Sequence, residues 1–292
     1  MRTGCFEVEG RGKVFTSEFD LSEYSEEVSK LLRPDGTWRG FHTTDAWADS
    51  SGQTPTEFVR DVESGGTARH ASLIARAREQ IKVPAFRLYG QTVGMGVGAG
   101  VPIIPAVLSG HPQHVLTLTD APDYSTPVRV IYDRVSSSNL NAGDVERTAA
   151  TVAAVIEILQ ASRPVEVFVV ANLDAAHGLG ESARGGSKRL QAASMRIKLS
   201  AHASNAELGL FLVSLGPIRR GLHSLAKVQY GYSGQWPFGE YGESAGLACM
   251  ADLAGPHDIV ITSLYSGHPL VKNPAAWAES ALEAAFSSMD AA

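Results

Sequence analysis

The residues best able to do chemistry stand just after short apolar runs. Val128–Tyr132 is followed by Asp133 and then by Ser136, Ser137 and Ser138. An acid with hydroxyls close behind supplies hard oxygen ligands of the kind that hold magnesium. Val165–Ala171 leads to Asp174 and His177, and Asp258–Tyr265 leads to His268. If these runs are parallel strands of an open sheet, their polar followers gather beyond the carboxyl ends, where ligands bind. Asp and Ser also cap helices and build turns, so a polar strand-end loop is expected in any α/β domain.

Other patterns carry less chemistry. The run Gly94-Met95-Gly96-Val97-Gly98-Ala99-Gly100 lacks the Lys-Ser/Thr of a phosphate loop and meets Val101-Pro102 and Pro105 instead of a helix. So much glycine predicts close-packed or flexible backbone outside helix and strand interiors. His111 and His114 have no cysteine pair or glutamate at metal-ligand spacing. No Gly-x-Ser-x-Gly elbow is expected at a strand-to-helix turn, and Cys249, in an apolar stretch, is expected to be packed. Arg219, Arg220, His223 and Lys227 recur three to four residues apart and precede Tyr230, Tyr232, Trp236, Phe238 and Tyr241. Basic and aromatic residues so interleaved suit a protein interface; stacking of single-stranded bases is the alternative.

The elements that must position these groups follow from periodicity. Val128–Tyr132 and Val165–Ala171 read as strands, the second almost continuously apolar, as in a strand covered on both faces. Between them Asn141 and Asp144 mark a helix start, and Val145, Ala149, Val152, Ile156 and Leu159 share one face before Arg163-Pro164 ends the helix. This is a βαβ unit. A kinked helix is expected over Leu208–Leu225, a buried strand over Asp258–Tyr265, and a terminal helix carrying Trp277, Ala281 and Ala285. Before residue 126 only two helical patterns emerge, Thr54–Val62 and Ala68–Lys82. The fold class is therefore α/β: an open, mostly parallel, Rossmann-like sheet over 126–292, with an irregular region over 1–125.

Composition narrows the function classes. Of 292 residues 44% are hydrophobic and 19% charged, which excludes a disordered chain. A net charge of −6 argues against a dominant surface for nucleic acid or anionic membrane. Two cysteines, Cys5 and Cys249, exclude a disulfide framework and a four-cysteine zinc site and suit a reducing compartment. Met1–Gly12 is too charged for a signal peptide, and no apolar run approaches the ~20 residues of a spanning helix. A soluble, cytoplasmic protein without membrane contact is expected.

The strand Val128–Tyr132 with Asp133 and Ser137 resembles the start of a von Willebrand factor A-type domain. That family has a strand ending in Asp-x-Ser-x-Ser, where the acid and both hydroxyls help hold a magnesium-type ion for an acidic partner ligand. The likeness matches Asp133 to the acid and Ser137 to the second serine, and implies them as metal ligands; Val135 stands in place of the first serine. It implies a degenerate domain that binds proteins with no cofactor, magnesium being the ion of a working site. A wider resemblance is to an uncharacterised family recurring in bacteriophage and prophage genomes. It rests on Trp38-Arg39-Gly40-Phe41, Gly110-His111-Pro112, Arg163-Pro164-Val165-Glu166, Pro217-Ile218-Arg219-Arg220 and Asp258-Ile259-Val260.

The resulting expectation is a non-enzymatic interaction or assembly protein, phage-encoded, acting in the host cytoplasm or the virion. It would bind a protein partner or itself through Arg219, Arg220, Tyr230, Tyr232, Trp236 and Phe238. The alternatives are a metal- or nucleotide-dependent enzyme built on the loops around Asp133, Asp174 and His177, and a single-strand nucleic-acid-binding protein.

Overall fold

Among the described residues the strands fall in two sheets. The computed structural model describes residues 1–8, 12–31, 68–82, 93–96, 101–102, 115–118, 127–133, 140–161, 163–174, 192–199, 203, 205–209, 225, 249–262 and 264–287. The first elements are β1 (Arg2–Val8), β2 (Gly12–Phe19), α1 (Leu21–Leu31), α2 (Ala68–Gln80), β3 (Val93–Gly96), β4 (Val101–Pro102) and β5 (Val115–Leu118). Then come β6 (Val128–Asp133), α3 (Ala142–Gln160), β7 (Val165–Asp174), β8 (Ala192–Lys198) and α4 (Asn205–Leu208). The last are β9 (Ile259–Ile261), α5 (Pro269–Lys272) and α6 (Pro274–Ser287).

The large sheet runs β1-β2-β8-β7-β6-β9. β6 is parallel to β7 and β9, and β2 is parallel to β8; β1–β2 and β7–β8 are antiparallel. The fold is thus mixed α/β with parallel pairing in the majority. The strand–helix–strand unit predicted over 128–171 is present, with β6 and β7 as adjacent parallel partners.

Two features of the first half of the chain differ from the sequence expectation. Residues 2–31, expected within an irregular region, are regular, and β1 and β2 belong to the same sheet as β6–β9. Their pattern is hard to read because β2 buries Thr16 and Ser17 on opposite faces. Gly4 lets β1 approach closely: a Cβ there would meet Thr16 Oγ1 at 2.8 Å. The second difference is in the glycine run, where Val93–Gly96 is a strand paired with Val115–Leu118 in a three-stranded antiparallel sheet, β3-β5-β4. Strand pairing uses backbone groups, so a glycine-rich strand can form beside a partner rich in valine and leucine.

Period-two alternation separates the faces of the large sheet. On one face Val130, Tyr132, Val167, Val169, Met195 and Ile197 join α1, α2, α3, α5 and α6 in the main core. On the other face Ile131, Phe168 and Val170 pack with Met250 and Leu253 from the segment leading to β9. Caps fix the helix starts. Asp20 Oδ1 accepts from the Glu23 amide at 2.8 Å while Glu23 Oε2 accepts from the Asp20 amide at 3.0 Å, a reciprocal box at α1. Helix 54–62 lies outside the described residues, as does all of 208–225 except its first two residues and Leu225.

Candidate functional site at the carboxyl end of β6

β6 is the strand from which the chain goes both ways. The connection through α3 places β7 on one side of it, and β9 is laid later on the other side. The carboxyl end of such a strand is where open sheets form their ligand crevice. Asp133 is the last residue of β6, and its side chain is 2% exposed. It shares the face of Ile131, opposite the main core.

A line of hydrogen bonds runs from Asp133 across two neighbouring strands. Asn172 Nδ2 donates to Asp133 Oδ2 at 2.9 Å. Ser194, paired with Asn172 across the β7–β8 ladder, donates from Oγ to Asn172 Oδ1 at 2.8 Å. Arg196 Nε donates to Ser194 Oγ at 3.1 Å. The Arg196 guanidinium then makes two bonds to Asp252 and one, of 3.2 Å, to the Cys249 carbonyl. Ser194 and Arg196 are i, i+2 neighbours on one face of β8, Asn172 faces Ser194 across the ladder, and Asp133 lies on the same face of the next strand, so strand order and pleat together bring these side chains into line.

On the other side of β6, Tyr132 pairs with Ile261, which sets Thr262 beside Asp133. Thr262 is 4% exposed and has the parity of Val260, the face that Asp133 also uses. Asp133, Asn172 and Ser194 are thus the oxygen-bearing side chains joined at this end, and Thr262 follows the last paired residue of β9 on the neighbouring side.

The remaining candidates have other placements. His268 is the N-cap of α5: its Nδ1 accepts from the Leu270 amide at 3.1 Å, and its ring stands nearly perpendicular to that of Tyr265, centroids 5.9 Å apart. The N-terminus of α3 is capped by Asn141, whose Oδ1 accepts from the Asp144 amide at 2.8 Å. Asp174 ends β7, in register with Ala192. Ser136, Ser137, Ser138 and His177 lie outside the described residues, as do Arg219, Arg220, Tyr230, Tyr232, Trp236 and Phe238. Cys249 is buried, as expected. Among the described residues no three His, Cys, Asp or Glu side chains are grouped to hold a metal ion.

The opposite end of the same sheet face is charged as well. Glu166 receives Lys198 Nζ on one oxygen and Arg129 Nε, at 3.2 Å, on the other. The Lys198 ammonium and then the Arg129 guanidinium hold the Glu166 carboxyl below its ordinary range against the opposing effect of burial. Lys198 Nζ also lies 5.4 Å from the centre of the Phe168 ring.

Sequence reasoning missed Asn172, Ser194, Arg196 and Asp252. The signal was the strict alternation Ala193-Ser194-Met195-Arg196-Ile197-Lys198, which marks a strand with one apolar and one polar face. It also missed that Gly242-Glu243-Ser244-Ala245-Gly246 fits the Gly-x-Ser-x-Gly pattern. That motif lies outside the described residues, and residues 230–241 before it do not have the β-branched run of an elbow strand.

No protein-family model matches the chain, and no curated protein and no solved structure matches it either. No helix of the described residues is long and apolar enough to cross a membrane.

Proposed function

We propose that this chain is a non-enzymatic interaction or assembly protein whose second half is a Rossmann-like domain of degenerate von Willebrand factor A type. Counted from β6, the strands lie in the order third, second, first, fourth, the order of a doubly wound sheet, with β8 as a reversed strand. The observation that carries the reading is at Asp133. One of its carboxylate oxygens is engaged by the Asn172 amide, which is itself tied to Ser194 and Arg196. Polar groups committed to one another in this way hold the carboxyl end of β6 in one shape, the preorganisation that a recognition surface requires.

The partner surface of this proposal takes in Arg219, Arg220, Tyr230, Tyr232, Trp236 and Phe238, a basic and aromatic composition suited to a protein interface. The resemblance to bacteriophage proteins supports a phage-encoded accessory role, in the host cytoplasm or the virion. A second reading, a metal-dependent enzyme, draws on the adjacency of Asp133 and Thr262 at a strand end.

Light scattering with affinity capture from phage-infected cells tests the first reading. It expects self-association or a stoichiometric protein partner, and a monomer that captures none counts against it. Calorimetry with magnesium, manganese and nucleotides separates the second, which requires heat of binding that Asp133→Ala abolishes.

A further inference from the structure

We infer that Arg196 is a positioning residue that couples the 249–258 segment to the Asp133 carboxylate through one polarised hydrogen-bond chain. The inference rests on the proposed reading only in taking the carboxyl end of β6 as the recognition end. Its basis is the sense of each bond. Arg196 Nε–H gives to Ser194 Oγ, Ser194 O–H gives to Asn172 Oδ1, and Asn172 Nδ2–H gives to Asp133 Oδ2. All three donors point away from the cation and toward the carboxylate. The neutral links therefore lie with their dipoles aligned between a positive and a negative end, the arrangement in which successive bonds strengthen one another.

The alignment leaves little alternative. A flipped Asn172 would turn its carbonyl toward the Asp133 carboxylate and its N–H₂ toward the serine, forfeiting the charge-assisted bond. Ser194 and Arg196 are 0% and 4% exposed, so water is poorly placed to replace either link. The cationic end is not fixed by β8 alone. Both Nη atoms of Arg196 are bound to Asp252, and Nη2 also to the Cys249 carbonyl, so the guanidinium plane follows the 249–252 turn. That segment is held at its far end by Arg129, whose Nη1 donates to the Leu253 carbonyl and whose amide donates to Asp258 Oδ1. A shift of the segment moves the guanidinium, and through it the serine, the amide and the carboxylate.

The test uses the full chain, labelled with nitrogen-15, and reads the side-chain amide signals of Asn172, assigned by their loss in Asn172→Ser. Asp252→Asn should shift those signals, whereas Glu166→Gln, at the other end of the same face, should leave them in place. In a Ser194→Ala background, which keeps the Arg196–Asp252 pair but removes the middle link, Asp252→Asn should no longer move them. Asn172 signals indifferent to Asp252→Asn, or a shift that persists through Ser194→Ala, would overturn the inference. Asp252→Asn keeps the carboxamide as an acceptor for one Nη, so the fold survives the measurement, and far-ultraviolet circular dichroism verifies that. Partner capture by the same variants is scored separately: coupling without a partner refutes the interaction reading and leaves the chain intact.

Discussion

Arg196 and Asp252 meet through two roughly parallel bonds, Nη1 to Oδ2 at 2.9 Å and Nη2 to Oδ1 at 2.6 Å. The guanidinium is 4% exposed and the carboxylate 33%. This asymmetry makes the two halves of the pair unequal. Asp252→Ala strands a buried cation, and breaking a buried pair from that side costs about 3 kcal/mol. Arg196→Met leaves an anion that water can reach and replaces the cation with a chain of similar length, so its cost should be nearer to ~1 kcal/mol. Urea denaturation of both variants measures the order; an Arg196→Met loss equal to or larger than that of Asp252→Ala contradicts it.

Glu166 sets an acid limb of stability. Its pKa is held below the ordinary value of 4.5 in the folded protein, first by Lys198 and then by Arg129. A lowered folded-state pKa means that the unfolded chain takes up the proton first as pH falls. The contribution is therefore fully present above the ordinary carboxylate range and is lost as pH drops through the lower folded-state value. Melting temperatures followed from neutral to strongly acidic pH should fall less steeply for Glu166→Gln than for the wild type. Parallel curves would remove Glu166 from the account.

Asn141 was legible as the start of α3, and its capping bond to the Asp144 amide makes a sharp expectation. Asn141→Ala should cost about 1 kcal/mol, and Asn141→Ser should retain most of the stability because it keeps an acceptor oxygen for the Asp144 amide without setting a second carboxylate against Asp144, whose Oδ2 accepts from Asn141 Nδ2 at 2.6 Å. Thermal denaturation of the two variants side by side checks it, and equal losses would mean that the cap contributes nothing.

What the sequence disclosed depended on whether a pattern had one cause. The run Val165–Ala171 is apolar because both faces of β7 are covered, and α3 repeats its apolar face over about four turns; each reads directly. β8 alternates just as strictly, though sequence reasoning missed it; its alternation marks a strand with a solvent-facing polar side, whereas Ser194 and Arg196 on that side are buried. His268 looked like a strand-end functional group because histidine is versatile; its Nδ1 in fact closes the first turn of α5. The network around Asp133 joins residues separated by 22 and 39 positions, and only the order of the strands brings them together.

Asp133 separates the readings most cleanly. As a strand-end acid that merely faced a helix N-terminus, it would contribute about 1 kcal/mol or less. Its burial and its bond from Asn172 raise that stake. Asp133→Ala removes the acceptor and leaves the Asn172 Nδ2 donor without that partner, a loss of about 1–3 kcal/mol. Asp133→Asn keeps an oxygen for that donor if its amide turns accordingly, and should cost less. Ion dependence then decides the role. An ion that binds only the folded state raises the melting temperature by mass action. Under the interaction reading, saturating magnesium or manganese leaves the wild type and both variants unshifted, since Val135 supplies no oxygen where the family resemblance places one. A rise in the wild type that both variants lose would assign Asp133 to a working metal site and favour the enzyme reading instead.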